Sequence, residues 1–425
     1  MEGAVFMKRF IAFLSISILC VFFAGCVKKV ITIPSYPEEN LPESISMVSQ
    51  SNSSSKSSTS SGVATVKAST GDLVALAKDT KNHYGYINTN GQWVIAPEFL
   101  GGTQFSDGLA AVKTRGTDSH WQIIDKSGAV KAEFNQSVNV IGGSHFSNGL
   151  IRITGSTNSK FGFADIEGKV IVQPTYKQVL DFSEGLAAVC SDKGWGFIDA
   201  KGNTVIPCQY EIVHSFSSNR AYVKYTPPAD SFKDGDAFID QTGRIVFEDI
   251  GPSSEKSGFE QYMSDFQNGV SLSLYMLREG GKGRGLGLVN DSGQLVWFDS
   301  KQEMSKNTSE WDGENLFAVL LSDTYGFLDT SGKLVCTIPD GFGLIGGNSG
   351  FSDGLCAIRN KASRMLGYMD KSGTVVISDV YQSAKAFFNG YAAVSMDGQI
   401  YSYIDKDGKT VASGDYVNTQ MPFTK

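Results

Sequence analysis

One short segment recurs nine times along this chain of 425 residues, and that recurrence constrains the fold more than any other feature. The clearest copy is WGFIDAKGNTVI at residues 195–206, and a near-copy, YGYINTNGQWVI, occupies residues 84–95. The glycines on which the copies align are Gly91, Gly128, Gly168, Gly202, Gly243, Gly293, Gly332, Gly373 and Gly408. A period of roughly 40 residues indicates a repeat architecture, in which each unit buries its apolar faces against its neighbours.

Each copy has the chemistry of a β-hairpin. Three residues before every glycine stands an Asp or Asn, whose side chain can accept backbone N–H groups in a tight turn. These residues are Asn88, Asp125, Asp165, Asp199, Asp240, Asn290, Asp329, Asp370 and Asp405. The glycine supplies the left-handed conformation that closes the turn, and alternating apolar β-formers flank it. The sequence therefore predicts nine hairpins.

A second motif, FSDGLAAV at residues 105–112, lies between the hairpins and predicts one further strand in each unit. Its relatives are FSNGLIRI at 146–153, FSEGLAAV at 182–189, FQNGVSLS at 266–273, FSDGLCAI at 351–358 and FFNGYAAV at 387–394. Asn219 and Asn315 replace the glycine in two copies, and Asn accepts a positive φ better than other non-glycine residues. The motif therefore indicates backbone geometry rather than ligand contact.

These units resemble the bacterial WG repeat, which is named after its Trp-Gly pair. The segment KGWGFID at residues 193–199 fits the pattern closely, and other copies vary the pair. The variants are Tyr84-Gly85, Trp121-Gln122, Phe161-Gly162 and Tyr325-Gly326. The resemblance covers residues 71–412 and implies a protein of the secreted or surface class, mostly of unknown role.

The implied fold class is all-β, an array of nine three-stranded repeats in a propeller-like arrangement. An open β-solenoid or superhelix is the alternative, because propellers usually have about 4–8 blades. The first strand, within DLVALAK at residues 72–78, stands alone before the first hairpin. A closed ring is expected if this lone strand completes the sheet of the last hairpin, residues 401–412.

The N-terminus predicts export. Lys8 and Arg9 precede an apolar run, 10–23, which as a helix would be about 21 Å long and too short for a hydrocarbon core of about 30 Å. The sequence FAGC at 23–26 resembles the lipobox of bacterial lipoproteins, which implies that residues 1–25 are a lipoprotein signal peptide and that Cys26 carries lipid. An ordinary signal peptide or a short anchor is the alternative.

The remaining boundaries follow from composition. Residues 26–70 are rich in serine and cannot bury enough apolar surface to fold, so we expect a flexible tether. The repeat domain is expected at 71–412 and a C-terminal tail at 413–425. The predicted location is the outer face of the bacterial cell membrane, where the protein is exported and held by its lipid.

Charge and cysteine content restrict the partners, cofactors and disulfide bonds that this chain can have. The net charge is −7 and no basic stripe is present, which argues against nucleic acid as a partner. No CxxC motif occurs, so neither a structural zinc nor any other cofactor is expected. Cys190 and Cys208 would lie on strands separated by a third, about 10 Å apart, and should stay unbridged. Sequence does not decide the pairing of Cys336 and Cys356.

Catalytic motifs are absent from the sequence, and turn chemistry accounts for the recurrent acids, including those that invite a calcium site. We therefore expect a protein without enzymatic activity. The best candidate for a binding surface is the interrupted part of the array, where longer connections occupy 249–265, 276–285 and 299–313. Aromatic and cationic residues there could stack on sugar rings or anchor a peptide. They are Tyr262, Tyr275, Lys282, Arg284, Trp297 and Trp311.

Three functional hypotheses remain open, and a simple packing role for the same residues in divergent units is the competing interpretation. The first is a surface lipoprotein whose repeats bind an extracellular protein or a cell-wall glycan. The second is a propeller-type glycoside hydrolase, which needs two carboxylates about 5–10 Å apart at one site. The third is a structural spacer in the envelope. Off-motif carboxylates that face each other would favour hydrolysis, and an exposed aromatic cleft would favour binding.

Overall fold

The computed structural model describes residues 73–228, 235–250, 256–262, 264–266, 268–277, 283–299, 314–321, 324–345, 350–417 and 424. These residues form β-strands and turns without any helix, which confirms the all-β class. In this part of the chain no helix is long and apolar enough to cross a membrane. The predicted signal peptide, Cys26 and the tether lie outside the described residues.

The strands form nine antiparallel sheets, numbered in chain order. Sheets 1 to 3 contain β1 Val74–Lys78, β2 Tyr84–Asn88, β3 Trp93–Phe99; β4 Gly101–Gly102, β5 Leu109–Lys113, β6 Trp121–Asp125, β7 Val130–Glu133; β8 Val138–Val140, β9 Leu150–Gly155, β10 Phe161–Asp165 and β11 Val170–Tyr176. Sheets 4 to 6 contain β12 Gln178–Val179, β13 Leu186–Ser191, β14 Gly194–Asp199, β15 Thr204–Tyr210; β16 Ile212–Val213, β17 Ala221–Lys224, β18 Asp236–Ile239, β19 Ile245–Glu248; β20 Gly258–Tyr262, β21 Val270–Leu277, β22 Gly283–Asn290 and β23 Leu295–Asp299. Sheets 7 to 9 contain β24 Phe317–Leu321, β25 Thr324–Leu328, β26 Leu334–Thr337; β27 Phe342–Leu344, β28 Phe351–Ser352, β29 Leu355–Asn360, β30 Leu366–Asp370, β31 Val375–Tyr381; β32 Ser383–Ala384, β33 Tyr391–Ser395, β34 Ile400–Asp405 and β35 Thr410–Val417.

The nine hairpins predicted from the sequence form the last two strands of every sheet, and the strand of the F-S-x-G motif pairs with each hairpin. Seven sheets differ from the prediction, because a further short strand precedes the motif and pairs with its strand. In sheet 2 this strand is Gly101–Gly102, which pairs with Lys113 and Val112. Most of these strands have two or three residues, too few to show the period-2 alternation that identifies a strand. The longer strand of sheet 6, Gly258–Tyr262, lies within 249–265, which the sequence had indicated as a connection.

The nine sheets form a ring, the arrangement of a nine-bladed β-propeller, and not the open superhelix that was the alternative. Sheets 9 and 1 share an apolar cluster in which Tyr403 and Ala412 pack with Ala75 and Ile87. Clusters of the same kind lie between other neighbouring sheets, such as sheets 4 and 5. Each sheet thus buries its faces against its neighbours, as the repeat period predicted.

The closing contact of the ring differs from the one expected. The first strand, β1, pairs with β2 within sheet 1 and does not join the sheet of the last hairpin. Instead the C-terminal end of the chain reaches sheet 1: Val74 donates to the carbonyl of Thr424 at 3.0 Å, and Thr424 donates back at 2.9 Å. Regular pairing in sheet 9 also continues to Val417, beyond the boundary expected at residue 412.

The four cysteines outside the N-terminal segment are free. Cys190 lies on β13 and Cys208 on β15, with β14 between them, and they are unbridged as predicted. Cys336 and Cys356 are buried in one apolar cluster between sheets 7 and 8. Burial, followed by the nearby carboxylate of Asp370, raises the pKa of Cys336 to about 11.

Candidate functional site

The strand directions divide the ring into two faces. In sheet 4, residues 182–185 lie in the connection between the first two strands, and residues 199–202 form the turn between the last two. Because neighbouring strands are antiparallel, these connections lie at the same end of the sheet, called here the turn face. The connections between second and third strands, such as 192–193, and the passages between sheets lie at the opposite end, called here the loop face.

The turns between the last two strands are nearly identical on all nine sheets. Asp199 Oδ1 accepts the backbone N–H of Lys201 at 2.9 Å and that of Asn203 at 2.8 Å, and Gly202 has a φ of 82°. The equivalent Asp or Asn accepts the same two N–H groups in each of the other turns. Hydrogen bonds from the side chain and backbone of Asn203 lower the pKa of Asp199. The recurrent acids are thus turn residues, as predicted, and among the described residues no three metal-ligating side chains converge.

The F-S-x-G turns also lie on the turn face and link each sheet to the next. Ser183 Oγ donates to the carbonyl of Phe216 at 2.7 Å. Four other serines make the equivalent bond to the next sheet: Ser106 to Phe146, Ser147 to Phe182, Ser217 to Phe266 and Ser352 to Phe387. Asn219 and Asn315, which replace glycine, have φ values of 60° and 63°, which confirms the backbone role predicted for them.

The connections on the loop face differ in length from sheet to sheet, whereas the hairpin turns on the turn face are nearly the same. The connection between second and third strands is two residues long in sheet 4, at 192–193, and seven in sheet 2, at 114–120. In sheet 5 it extends from residue 225 to residue 235. The three long connections identified in the sequence also start or end on this face, because they follow a second or a fourth strand.

Two of the six candidate binding residues have a described side chain, and both contribute to packing. Tyr275 is buried, and its ring lies 6.5 Å from that of Phe298 at an interplanar angle of 68°. Trp297 packs against the cluster between sheets 6 and 7 and touches Gly332, in the place where Ile206 touches Gly243 in the preceding sheets. These contacts agree with the packing interpretation of both residues.

The other four candidates lie outside what the structure describes. Residues Lys282 and Trp311 are in this group, as are the side chains of Tyr262 and Arg284. Their role in binding stays a prediction.

Sheet 5 carries a buried polar cluster that sequence reasoning missed. Its third strand reads DAFID at 236–240 where sheet 4 has WGFID, so Asp236 takes the position of Trp195. Asp236 is 5 % exposed and Asp249, which directly follows the neighbouring strand β19, is 1 % exposed. The N–H of Asp249 donates to the carbonyl of Asp236 at 2.8 Å, which places the two acids side by side. A carboxylate at an aromatic position was the sequence signal that could have found this cluster.

Hydrogen-bond donors hold the acid at position 236. The hydroxyl of Tyr222 donates to Asp236 Oδ1 at 2.5 Å, and Lys224 Nζ lies 3.5 Å from the same oxygen. Burial, then the hydrogen bond to Asp236, raises the pKa of Tyr222, so the hydroxyl keeps its proton. These residues stand at strand ends on the loop face, since β17 ends at Lys224 and β18 begins at Asp236.

Two further pairs extend the polar region around sheet 5. The hydroxyl of Tyr225 donates to Glu248 Oε2 at 2.6 Å, and burial followed by this bond raises the pKa of Tyr225. His214 Nδ1 lies 3.2 Å from Asp265 Oδ1, which joins sheet 5 to sheet 6. The His214–Asp265 pair lies on the turn face, whereas Asp236, Glu248 and Asp249 make the loop-face end of sheet 5 acidic. The buried acids Asp236 and Asp249 need donors to offset their desolvation.

Four sheets share a bulge that crosses a glycine on the first strand of the hairpin. In sheet 4, Trp195 pairs with Tyr210 and Phe197 with Ile206, so residues 207–209 bulge over Gly196. A Cβ atom on Gly196 would lie 2.5 Å from the carbonyl oxygen of Ile206. The same bulge crosses Gly85, Gly162 and Gly367 in sheets 1, 3 and 8.

The family model of the WG-containing repeat matches the chain at four places, residues 84–117, 161–194, 195–225 and 367–399. Each matched segment includes one of the four glycines beneath a bulge. This protein carries WG-type repeats at these four places. The other five sheets depart from the pattern: Gln122 and Ala237 replace the glycine in sheets 2 and 5, where the fourth strands have no such bulge. Gly287 and Gly326 are present in sheets 6 and 7 without such a bulge, and in sheet 9 the register shifts between Tyr401 and Ser402.

Solved structures of other proteins are similar to this chain over most of its length. The crystal structure of a eukaryotic initiation factor is 12% identical, with a TM-score of 0.50, over 83% of this chain and 97% of that one. BamB from Moraxella catarrhalis has a TM-score of 0.37 at 12% identity, over 74% of this chain and 95% of that one. Apo AztD from Citrobacter koseri has a TM-score of 0.38 at 12% identity, over 83% and 97%. At such identity the likeness to the initiation factor concerns the fold alone. Among curated proteins, none is a significant sequence match.

Proposed function

We propose that this WG-repeat protein is an exported lipoprotein, anchored through Cys26 to the outer face of the bacterial cell membrane. Its propeller binds an extracellular protein or a cell-wall glycan without catalysing a reaction. Residues 26–70 form the tether that holds the ring away from the membrane surface. The loop face of the ring is the binding surface.

The observation that carries this proposal is the contrast between the two faces. The turn face repeats the same hydrogen bonds on all nine sheets, and its acids and serines bond to the protein's own backbone. The loop face holds the connections that differ in length, together with the acidic region of sheet 5. Insertions in repeat proteins usually lie on one face, and that face is often the one that binds.

The low solvent exposure of the acid pair on sheet 5 favours a binding function over hydrolysis. Asp236 and Asp249 are the off-motif carboxylates that the hydrolase hypothesis needs, yet both are nearly inaccessible to solvent. A glycosidase must place its acid and its nucleophile or base directly against the sugar. A pure spacer, in turn, would gain nothing from replacing an apolar core position by a carboxylate, because burial of a charge is costly.

The lipid anchor is tested by metabolic labelling of cells that express the full chain with an alkyne analogue of palmitate. The wild type should incorporate the label, and Cys26→Ser should lose it. Cys20→Ser is the matched control and should keep the label, since residue 20 lies in the predicted signal peptide. Labelling that survives Cys26→Ser would contradict the anchoring proposal.

Binding is tested with the purified full-length protein in detergent, using cell-wall sacculi and solubilised surface proteins as separate baits. Arg284→Ala, near the loop-face end of β22, and Trp311→Ala, a candidate from the sequence, should each weaken retention of one bait. Lys201→Ala is the control, because Lys201 is exposed on the turn face of sheet 4. Failure to retain either bait, or equal loss in the control, would contradict the proposed binding surface.

A further inference from the structure

A pocket of about 590 Å³ opens on the loop face between sheets 1 and 2. Its walls come from the end of β3 and from the connection between β5 and β6. The lining residues are Glu98, Phe99, Thr114, Arg115, Gly116 and Gln122. The volume lies in the range of about 300–1,000 Å³ that is usual for small-ligand sites.

Two opposite charges line this pocket without pairing. Glu98 and Arg115 are both exposed. Among the described residues neither makes a hydrogen bond or an ion pair, with each other or with a third residue. The carboxylate and the guanidinium group are therefore both available to a ligand.

A third polar group at the pocket is the side-chain amide of Gln122, which stands at the position where the matched WG repeats have glycine. Gln122 Nε2 donates to Glu133 Oε1 at 3.1 Å and lies 3.0 Å from His120 Nε2. In the neutral imidazole, His120 Nδ1 donates to the carbonyl of Asp118 at 2.8 Å and Nε2 is an acceptor. Both amide N–H groups of Gln122 are thus used, and its carbonyl oxygen remains free to accept a hydrogen bond.

The connection that carries Arg115 is fixed by its own hydrogen bonds. Thr114 N–H donates to the carbonyl of His120 at 2.9 Å, and His120 N–H donates to Thr114 Oγ1 at 3.0 Å. Ser119 Oγ donates to the carbonyl of Thr114 at 2.7 Å. At the tip, Gly116 has a φ of 103° and open space where a Cβ would stand, so the mouth of the pocket is clear. A preformed site of this kind loses little freedom on binding.

We infer that this pocket binds a sugar unit of a saccharide. A carboxylate, a guanidinium group and an amide carbonyl can each hydrogen-bond to hydroxyl groups, and a hydroxyl serves as donor to the first and third and as acceptor from the second. Phe99 borders the pocket but belongs to the apolar cluster of sheets 1 and 2 and is only 8 % exposed, so these polar groups carry the recognition. An ion-paired zwitterion would gain less here, because the two charges are exposed and screened by water and salt.

This inference rests on the proposed function, since it names a glycan as the ligand class. It is tested by isothermal titration of the full-length protein with the β-1,4-linked disaccharide of N-acetylglucosamine, with cellobiose, and with glycine as a zwitterionic probe. At least one disaccharide should bind. Gln122→Met and Arg115→Ala should each weaken it about tenfold, the loss expected for one hydrogen bond to a charged or buried partner. Lys193→Ala, on the connection of sheet 4, is the matched control and should bind as the wild type does.

The possible outcomes distinguish a failure of the pocket inference from a failure of the proposed function. If neither disaccharide binds while a surface protein is still retained as bait, the pocket inference fails and the proposed function stands. If no bait is retained either, both fail. Preferential binding of glycine overturns the ligand class, and saccharide binding that both variants leave unchanged overturns the location. Should Gln122→Met unfold, Arg115→Ala and Glu98→Gln carry the test, because those side chains are exposed.

Discussion

The ring of Phe197 lies 4.9 Å from the ring of Phe216, centroid to centroid, at an interplanar angle of 60°. Phe197 is on the third strand of sheet 4, and Phe216 precedes the F-S-x-G turn of sheet 5. The same contact joins five other neighbouring pairs of sheets at centroid distances of 4.6–4.9 Å: Tyr86–Phe105, Phe163–Phe182, Phe238–Phe266, Phe327–Phe351 and Tyr368–Phe387. A repeated aromatic pair therefore holds the sheets of this ring together.

Replacement of Phe216 by alanine should strongly destabilise the protein. The side chain is 1 % exposed, so its removal leaves a cavity between sheets 4 and 5. We expect a loss of about 3–5 kcal/mol in the free energy of unfolding, measured by chemical denaturation. Phe388→Ala is the matched control, because Phe388 follows the equivalent aromatic in sheet 9 but is 47 % exposed, and it should change stability little. Similar losses for both variants would contradict the packing role of the pair.

Alanine at position 196 should disturb the bulge that characterises the matched repeats. Its Cβ would meet backbone atoms, the carbonyl oxygen of Ile206 at 2.5 Å and the nitrogen of Cys208 at 2.7 Å. Backbone cannot move aside as a side chain can, so we expect a loss of at least about 1–3 kcal/mol in unfolding free energy. Gly326→Ala meets the side-chain ends of Leu321 and Leu334 instead and should cost less. Equal thermal stability of the two variants would show that the bulge is not what requires glycine.

The turn acids should make the protein sensitive to acid. The hydroxyl of Thr242 is the main cause that lowers the pKa of Asp240 to about 2, and hydrogen bonds from Arg244 add to it. Because the folded pKa is depressed, this turn stabilises the fold fully above the unfolded pKa of about 4, and the contribution disappears as pH falls through about 2. Thr242→Ala should raise the pKa of Asp240, as followed by NMR titration of its carboxyl group. Thr204→Ala, an exposed strand residue of sheet 4, should leave that pKa unchanged; a shift of equal size there would refute the assignment.

Ring closure should depend on the last residues of the chain. Removal of residues 418–425 takes away the two hydrogen bonds between Val74 and Thr424. We expect a loss of about 1–3 kcal/mol and faster amide exchange in β1. Deletion of residues 51–60, within the predicted tether, is the control and should leave the melting temperature unchanged. A truncated protein as stable as the wild type would mean that the apolar cluster of Tyr403 and Ala75 closes the ring without this pair.

Most of the architecture could be predicted because the turns repeat and their chemistry is local. The Asp or Asn and the glycine of each hairpin determine a backbone conformation within four residues, and Asn219 showed the same requirement where glycine is missing. The short first strands, such as Gly101–Gly102, and the contact of Thr424 could not be predicted, because they depend on neighbours that are distant in sequence. The alternation of apolar and polar residues identifies the buried and exposed faces of a long strand, but a strand of two residues is too short to show it.

The candidate site was harder to predict from the sequence than the fold, for a related reason. Sequence reasoning treated the aromatic residues of the interrupted region as surface candidates, yet Tyr275 and Trp297 occupy packing positions in sheet 6. Asp236 was overlooked because recurrent acids in this chain belong to turns, and Gln122 because it was treated as a variant of the Trp-Gly pair. Both substitutions can be recognised when each copy is aligned with the common repeat pattern and its differing positions are noted.

Hydrogen–deuterium exchange of the full-length protein, with and without soluble fragments of bacterial cell wall, tests most directly whether the loop face is the binding surface. The account predicts slower exchange at residues 114–120 and at other connections of the loop face, with no change in the turns at 182–185 and 199–202. Protection confined to those turns, or spread evenly over both faces, would contradict it.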